Sequence, residues 1–404
     1  MALYNIHLSD SMAYKLTRET LVLDLYGAFI LAKQHKTGKE YVKIYERSLK
    51  KNIERLADDL FFRRYKPEPS SCFIVERPKK REVFAAQFRD RIVHHLYFNY
   101  THKIFERTFI QDSYSCIPER GTHYGINRLE KHIRQESKNY QQECFILKLD
   151  KRGYFMHINR YKLLEIATNT LEKMRTHKVD KNDSKVWDDV IDFEFVKWLT
   201  KEIVLLNPKD SCNIVGDFSA WDDLDKSKSL FYTDEGCGLP IGNLTSQLFS
   251  NVYLNEFDQF MKRELKCKHY GRYVDDSYVV SRDKNWLLSL IPKIRKFLKS
   301  ELGLDLHMGK LQITSSKIGV EFLGTFVRPY RKYVSNKTLR RTRYNLQRLN
   351  MEDREAVFRS INSFLGTLVH NKSFNIRRDL FFKEKYLGYG VFDEKMTKLE
   401  RVNP

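Results

Sequence analysis

The stretch His269-Tyr270-Gly271-Arg272-Tyr273-Val274-Asp275-Asp276-Ser277-Tyr278-Val279-Val280 decides the fold. Its flanks, His269 to Arg272 and Ser277 to Val280, read as short strands, so Tyr273-Val274-Asp275-Asp276 stands at the tip of a β-hairpin. Aspartate is a poor strand residue, and an adjacent pair among aromatic and β-branched neighbours needs a turn or a cation to be tolerated. A plain turn is the ordinary explanation, because Asp is common in turns. A third carboxylate far upstream favours the cation. Asp150 ends the run Cys144-Phe145-Ile146-Leu147-Lys148-Leu149-Asp150, in which Phe145, Leu147 and Leu149 share one face while Ile146, Lys148 and Asp150 share the other. One face is expected to enter a core, with Asp150 at the strand's exit. Lys151-Arg152-Gly153-Tyr154-Phe155 then leads into apolar residues at helical spacing from Ile158 to Ile166. A strand-end carboxylate joined to a doublet on a neighbouring hairpin makes a clamp for two Mg²⁺ ions, with Mn²⁺ as a substitute. These hard cations take oxygen ligands and leave room for phosphates. Two such metals activate an attacking hydroxyl and stabilise a leaving oxygen, so nucleotidyl transfer is the chemistry expected.

With Gly238-Leu239-Pro240-Ile241-Gly242-Asn243-Leu244-Thr245-Ser246-Gln247 between them, these blocks fall in the order of a reverse transcriptase. The chain resembles a bacterial or phage reverse transcriptase from about residue 70 to about residue 380. More narrowly, Ile241 to Gln247 followed by Leu248-Phe249-Ser250-Asn251-Val252-Tyr253-Leu254-Asn255 resembles the reverse transcriptases of diversity-generating retroelements. The resemblance implies an α+β right-hand polymerase with fingers, a palm whose antiparallel sheet carries the aspartates, and a helical thumb. The expected division is 1–70 as an N-terminal helical extension, 71–143 as fingers, 144–327 as palm with inserted finger and loop segments, and 328–404 as thumb and tail.

The same resemblance assigns roles to residues whose ordinary reading is plainer. Cys72 to Gln87 reads as two strands around the basic turn Arg77-Pro78-Lys79-Lys80-Arg81, ordinarily a solvated turn. In the family it is the fingers hairpin, and Arg81, with Lys79 second, would bind the incoming triphosphate, Arg being able to make a bidentate contact. Phe155 would sit against the sugar and exclude a 2′-hydroxyl, although a core aromatic is the plain alternative. In the Gly238, Pro240, Ile241, Gly242, Ser246 and Gln247 block, glycine allows close backbone approach to a nucleotide. Many reverse transcriptases have Gln where Ile241 stands and Ser-Pro where Ser246-Gln247 stands. The loss of that polar side chain matches the group that copies template adenines inaccurately. Arg120 matches a template or nucleotide contact, Lys310 a general acid towards departing pyrophosphate, and Phe322-Leu323-Gly324 the primer-grip turn. Arg340, Arg341 and Arg343, interleaved with aromatics in the tail, suit a duplex backbone. The adjacent His94 and His95 point to different helix faces, which makes a shared metal improbable and a structural or RNA-contacting role the better reading.

Composition agrees. A chain of 404 residues with net charge +20 and 13% aromatics can bury a sizeable core and suits a polyanionic partner. Ser11 to Tyr65 carries apolar residues at helical spacing, and Arg175 to Thr233 reads as a helical and loop insertion of illegible function. The six cysteines have no metal-finger spacing and read as reduced thiols, and neither a leader nor a membrane-spanning run is visible, so the cytoplasm of a bacterial or phage-infected cell is expected. No RNase H, integrase or endonuclease stretch is expected after the thumb, so priming, target cleavage and template removal fall to other molecules. The implied partners are a structured template RNA, dNTPs, cDNA and its DNA target, and a small basic accessory protein forming a ring. Alternatives are a group II intron-like, retron or phage-defence reverse transcriptase, and, in another class, an RNA-binding scaffold with a silent polymerase fold.

Overall fold

Helices and antiparallel strands mix without a repeating unit in the computed structural model, which describes residues 16–76 and 79–401. The fold is α+β, the class expected of a right-hand polymerase. Ser11 to Lys15 of the expected helical stretch, and Arg77 and Pro78 of the basic turn, lie outside the described residues. The chain forms two compact units, each assembled from separated stretches. One comprises the chain up to Gln111, Lys151–Lys266 and Pro292–Leu306; the other comprises Asp112–Asp150, Cys267–Ile291 and the chain from His307 onward.

In the first unit the N-terminal periodicity becomes three helices, Arg18–Lys33, Glu40–Arg47 and Leu49–Phe61. Thr17 caps the first by accepting from the Thr20 amide, satisfying a donor the helix cannot pair internally. Leu21, Leu25, Ala28 and Phe29 of that helix are buried, and it packs on the helix Phe88–Glu106. The expected strand pair is Ser70–Val75 with Arg81–Ala85, antiparallel from Ser71 opposite Ala85 to Val75 opposite Arg81. A third strand, Cys212–Ile214, joins parallel to Ser70–Val75. Glu82, only 1% exposed, accepts from Trp221 Nε1, Ser229 Oγ and the Leu230 amide, and so ties part of the insertion to this sheet. The rest of the insertion contains the helix Phe193–Val204.

His94 is fully enclosed in the helix Phe88–Glu106, its Nδ1 buried with no hydrogen-bond partner, and burial drives its pKa down to about 3; burial likewise takes neighbouring His95 to about 4. Because the folded pKa of His94 lies below the unfolded value, the unfolded chain binds the extra proton, and the stability present above pH 6.5 is lost as pH falls. For His94 alone this is about 2 kcal/mol between pH 6.5 and 5. Buried Asp90, raised to about 6, acts in the opposite sense, favouring the folded state as it protonates. His94→Leu should flatten the acid limb of a urea-unfolding stability profile by that amount; an unchanged limb would refute the assignment.

The second unit is built on a four-stranded antiparallel sheet in the order His269–Tyr273, Asp276–Ser281, Phe145–Leu149, Gln312–Ser315. The helix Thr122–Glu136 covers it through Ile126, Leu129 and Ile133, which pack with Tyr114, Ile146, Tyr278, Val280 and Phe322. Phe145–Leu149 is therefore not a one-faced strand. Ile146, expected on the outer face, is buried with Leu147 and Leu149, because the strand is paired on both sides and covered. Downstream, the helices Asn336–Gln347, Arg354–Leu368 and Phe374–Phe381 enclose a cluster of Val357, Ile361, Leu365, Leu368 and Phe381. No helix among the described residues is long and apolar enough to cross a membrane.

Candidate active site

The hairpin expected around Tyr273 to Asp276 is present. Tyr273 pairs with Asp276, leaving Val274 and Asp275 as a two-residue turn. Of these only Val274 has positive φ, at 52°, the pattern of a type II′ turn, where glycine is the usual occupant. A β-branched residue there is an outlier that the surroundings must hold in place. The Val274 amide donates to Ser115 Oγ at 3.2 Å, and its carbonyl accepts from Arg272 Nη1 at 3.0 Å. Arg272 is fully buried, and its Nη2 donates to Ser113 Oγ at 3.2 Å. The backbone is fastened as well, Arg272 N to Asp112 O at 2.9 Å and Tyr114 N to Arg272 O at 3.0 Å.

A polar network continues behind the strand. Asp112 accepts from Arg128 Nε at 2.6 Å and Nη2 at 3.0 Å, and from the Tyr114 hydroxyl at 3.0 Å. The Tyr114 and Tyr278 hydroxyls are 2.8 Å apart, and Tyr278 reaches His132 Nδ1 at 3.1 Å. A Cβ on Gly271 would stand 2.7 Å from the Tyr278 hydroxyl and closer still to that of Tyr114, so only glycine lets the strand lie against this pair. Sequence reading assigns no role to Asp112, Ser115, Arg128 or Arg272. The one available signal was Arg272 itself, a cation one strand step beyond Tyr270 in an otherwise buried strand.

Asp150 follows the pair Leu149 with Ser277, so continuing the register sets it opposite Asp276. Lys310 completes the group: its Nζ donates to Asp150 Oδ2 at 2.6 Å. That hydrogen bond raises the Lys310 pKa, with the carboxylates of Asp150, Asp275 and Asp276 adding to it against the opposing effect of burial. The four residues predicted to carry the chemistry therefore lie in one unit and sense one another. Among the described residues no three carboxylate, imidazole or thiolate groups form a ready-made metal cage. The carboxylates instead gather an ammonium, the behaviour of a hard oxygen donor set that suits a hard cation.

The predicted nucleotide-contacting residues lie in the first unit. Phe155 and Ile241 pack against one buried cluster of Cys72, Phe84, Met156 and Leu230. The Leu239 amide donates to Phe155 O at 2.9 Å, and the Phe84 amide to Ile241 O at 3.1 Å, stitching the glycine block onto Arg81–Ala85. Gly242 has φ 123°, and a Cβ there would meet Val83 Cγ1 at 2.9 Å. Arg81 is exposed at the start of its strand, as is Lys79 in the turn; Pro240 is half-buried. Gly238 and Ser246 are buried and Gln247 exposed. Tyr154 serves the core, its hydroxyl on the Ser250 carbonyl, which leaves Phe155 partly exposed.

Of the residues expected along primer and template, Arg120 donates to Ser113 O at 3.1 Å, so it braces the segment that holds the hairpin. Phe322 is 1% exposed and belongs to the core, because alternation turns it inward on its strand. Leu323 and Gly324, with φ of 49° and 81°, make a type I′ turn between Val320–Phe322 and Thr325–Arg328. Arg340, Arg341 and Arg343 are exposed on a helix that buries Thr338, Thr342 and Leu346, so its basic side faces outward.

A carboxylate pair at the tip of a sheet hairpin, facing a third carboxylate with a lysine beside it, is the arrangement expected of a polymerase site. Residues 77–327 match the family described as reverse transcriptase (RNA-dependent DNA polymerase), and the chain belongs to that family. Protein YkfC of Escherichia coli (strain K12) is 23% identical over 306 residues, covering 67% of this chain and 70% of its own. Among solved structures, telomerase from Candida albicans in complex with a fragment of telomeric RNA aligns with TM-score 0.44 and 10% identity, covering 80% of this chain and 61% of its own. Apo telomerase from Candida tropicalis aligns with TM-score 0.45 and 11% identity, covering 78% of this chain and 56% of its own. The chain thus spans less than two thirds of the length of these two telomerase chains.

Proposed function

We propose that this protein is an RNA-directed DNA polymerase that copies a structured template RNA into cDNA, inaccurately at template adenines, to diversify a target gene. The observation that carries the polymerase reading is the convergence of Asp150, Asp275 and Asp276 on Lys310. Asp150, Asp275 and Asp276 would hold Mg²⁺, which supplies charge neutralisation at the reacting phosphate and a more acidic primer hydroxyl. The primer 3′-hydroxyl attacks the α-phosphate of a dNTP and pyrophosphate departs. Lys310, kept protonated by the carboxylates around it, donates a proton to that leaving group. Arg81, with Lys79, pairs with the triphosphate, and the half-exposed Phe155 ring excludes a 2′-hydroxyl. The exposed arginines at 340, 341 and 343 track the duplex backbone. A small basic ring-forming accessory protein is the protein partner, and a bacterial cytoplasm the setting.

Ile241 carries the infidelity. Its side chain packs with Phe155 on the Cys72 and Phe84 cluster, an apolar contact that offers a base no hydrogen bond by which to reject a mismatch. Purification with RNA from the same locus and sequencing of the cDNA tests the whole reading. Wild type should yield cDNA with substitutions concentrated at template adenines, and Ile241→Gln should lower them several-fold. Faithful wild-type cDNA removes the diversification role and leaves the polymerase.

A further inference from the structure

We propose that a cavity of about 210 Å³ lined by Glu130, Arg134, Asn139, Tyr140 and Tyr330 takes one unpaired, amino-bearing nucleotide of an RNA hairpin. All five residues belong to the second unit. At this volume the cavity is smaller than the roughly 300–1,000 Å³ of sites that enclose a whole small molecule, so it suits one planar group whose sugar and phosphate stay outside.

The backbone around it is built at a cost. Lys138, Asn139 and Tyr140 have φ of 50°, 61° and 67°, three successive left-handed residues where such conformations ordinarily occur singly. Tyr330, across the cavity, has φ 63°. The run is pinned by Asn139 N on Arg134 O at 2.8 Å, Tyr140 N on Ser137 Oγ at 2.9 Å and Gln142 N on Ser137 O at 2.9 Å. Bulky residues held in this region recur where a ligand is clamped.

What the pinning achieves is a fixed, uncovered ring. Tyr330 stacks edge-on against Tyr140 with centroids 4.6 Å apart, and its hydroxyl donates to Asn139 O at 3.3 Å, yet 72% of the residue is exposed. An aromatic face held rigid in water is a platform for a base, and unpaired bases are what proteins read in RNA. Arg134 is exposed at the same place and suits the phosphate. Glu130, oriented by Lys332 Nζ on its Oε2 at 2.9 Å, is an acceptor for an exocyclic amine. The chain's net charge of +20 favours nucleic acid over other aromatic ligands. The choice of RNA over DNA rests on the proposed function.

Fluorescence anisotropy with three labelled RNA hairpins, fully paired, with one bulged adenosine, or with one bulged uridine, tests this on the full chain. Wild type should bind the adenosine bulge about tenfold or more tighter than the paired hairpin, with uridine weaker. Tyr330→Ala should abolish the preference, and Tyr330→Phe, which keeps the ring, should retain it. Equal affinity for bulged and paired hairpins, or a preference that survives Tyr330→Ala, overturns the inference. Primer extension on an unstructured template should be unchanged in Tyr330→Ala. Failure of extension in wild type would count against the polymerase reading while leaving the bulge preference to be judged on its own.

Discussion

Asp275→Asn is expected to give a folded protein that no longer extends a primer. Two-metal catalysis supplies several kcal/mol of transition-state stabilisation, so its loss corresponds to about a thousandfold or more in turnover. Stability should move the other way. Asp275 and its neighbour Asp276 are half-buried, and together with Asp150 they crowd like charges around the Lys310 ammonium. Replacing one carboxylate by an isosteric amide removes repulsion without removing volume, so thermal unfolding should stay level or shift upward. Added Mg²⁺ should raise the unfolding temperature of wild type in a concentration-dependent way and leave Asp275→Asn nearly flat, because a ligand stabilises only the state that binds it. Retained primer extension in the variant, or an unfolding temperature indifferent to Mg²⁺ in wild type, would refute the metal site.

Arg272→Met should be the most damaging substitution that touches no reacting atom. The guanidinium is fully enclosed and donates to the Val274 carbonyl and to Ser113 Oγ, so methionine of similar length leaves both acceptors without a donor. Leaving buried acceptors unsatisfied costs about 1–3 kcal/mol each, to be read from the urea-unfolding midpoint. Because the lost bond is one of the two that hold Val274 at φ 52°, the turn carrying Asp275 should relax and primer extension should fall beyond what the unfolded fraction explains. Val274→Gly offers the control. Glycine adopts the left-handed region freely where another residue pays about 1–2 kcal/mol, so Val274→Gly in the Arg272→Met background should recover part of the activity. If it recovers none, Arg272 supports the fold alone and does not position the turn.

Much of the site was legible because it is written in local patterns. The Asp275-Asp276 doublet between two apolar runs, the strand ending at Asp150 and the glycines of the 238–242 block each announce themselves within about ten residues. Tyr154 is buried and Phe155 partly exposed, a difference between adjacent aromatics that local reading alone does not decide. The face expected for Phe145–Leu149 did not hold, since alternation predicts a one-faced strand only when the other face meets water. Phe322 shows the same limit: a motif names the turn, while burial decides which of its residues can reach a ligand.

The sequence by itself determined the order of the blocks and singled out Asp150, Asp275 and Asp276, because such motifs depend on residue type and short spacing, and the family they resemble implied the α+β class. Only the tertiary structure decided what holds those carboxylates in place. Lys310 meets Asp150 across 160 residues, Tyr114 meets Tyr278 across 164, and Arg272 meets Ser113 across 159. No periodicity encodes such pairs. They follow from an antiparallel sheet that brings distant strands within hydrogen-bond reach, and from burial that makes each unpaired polar group too costly to leave alone.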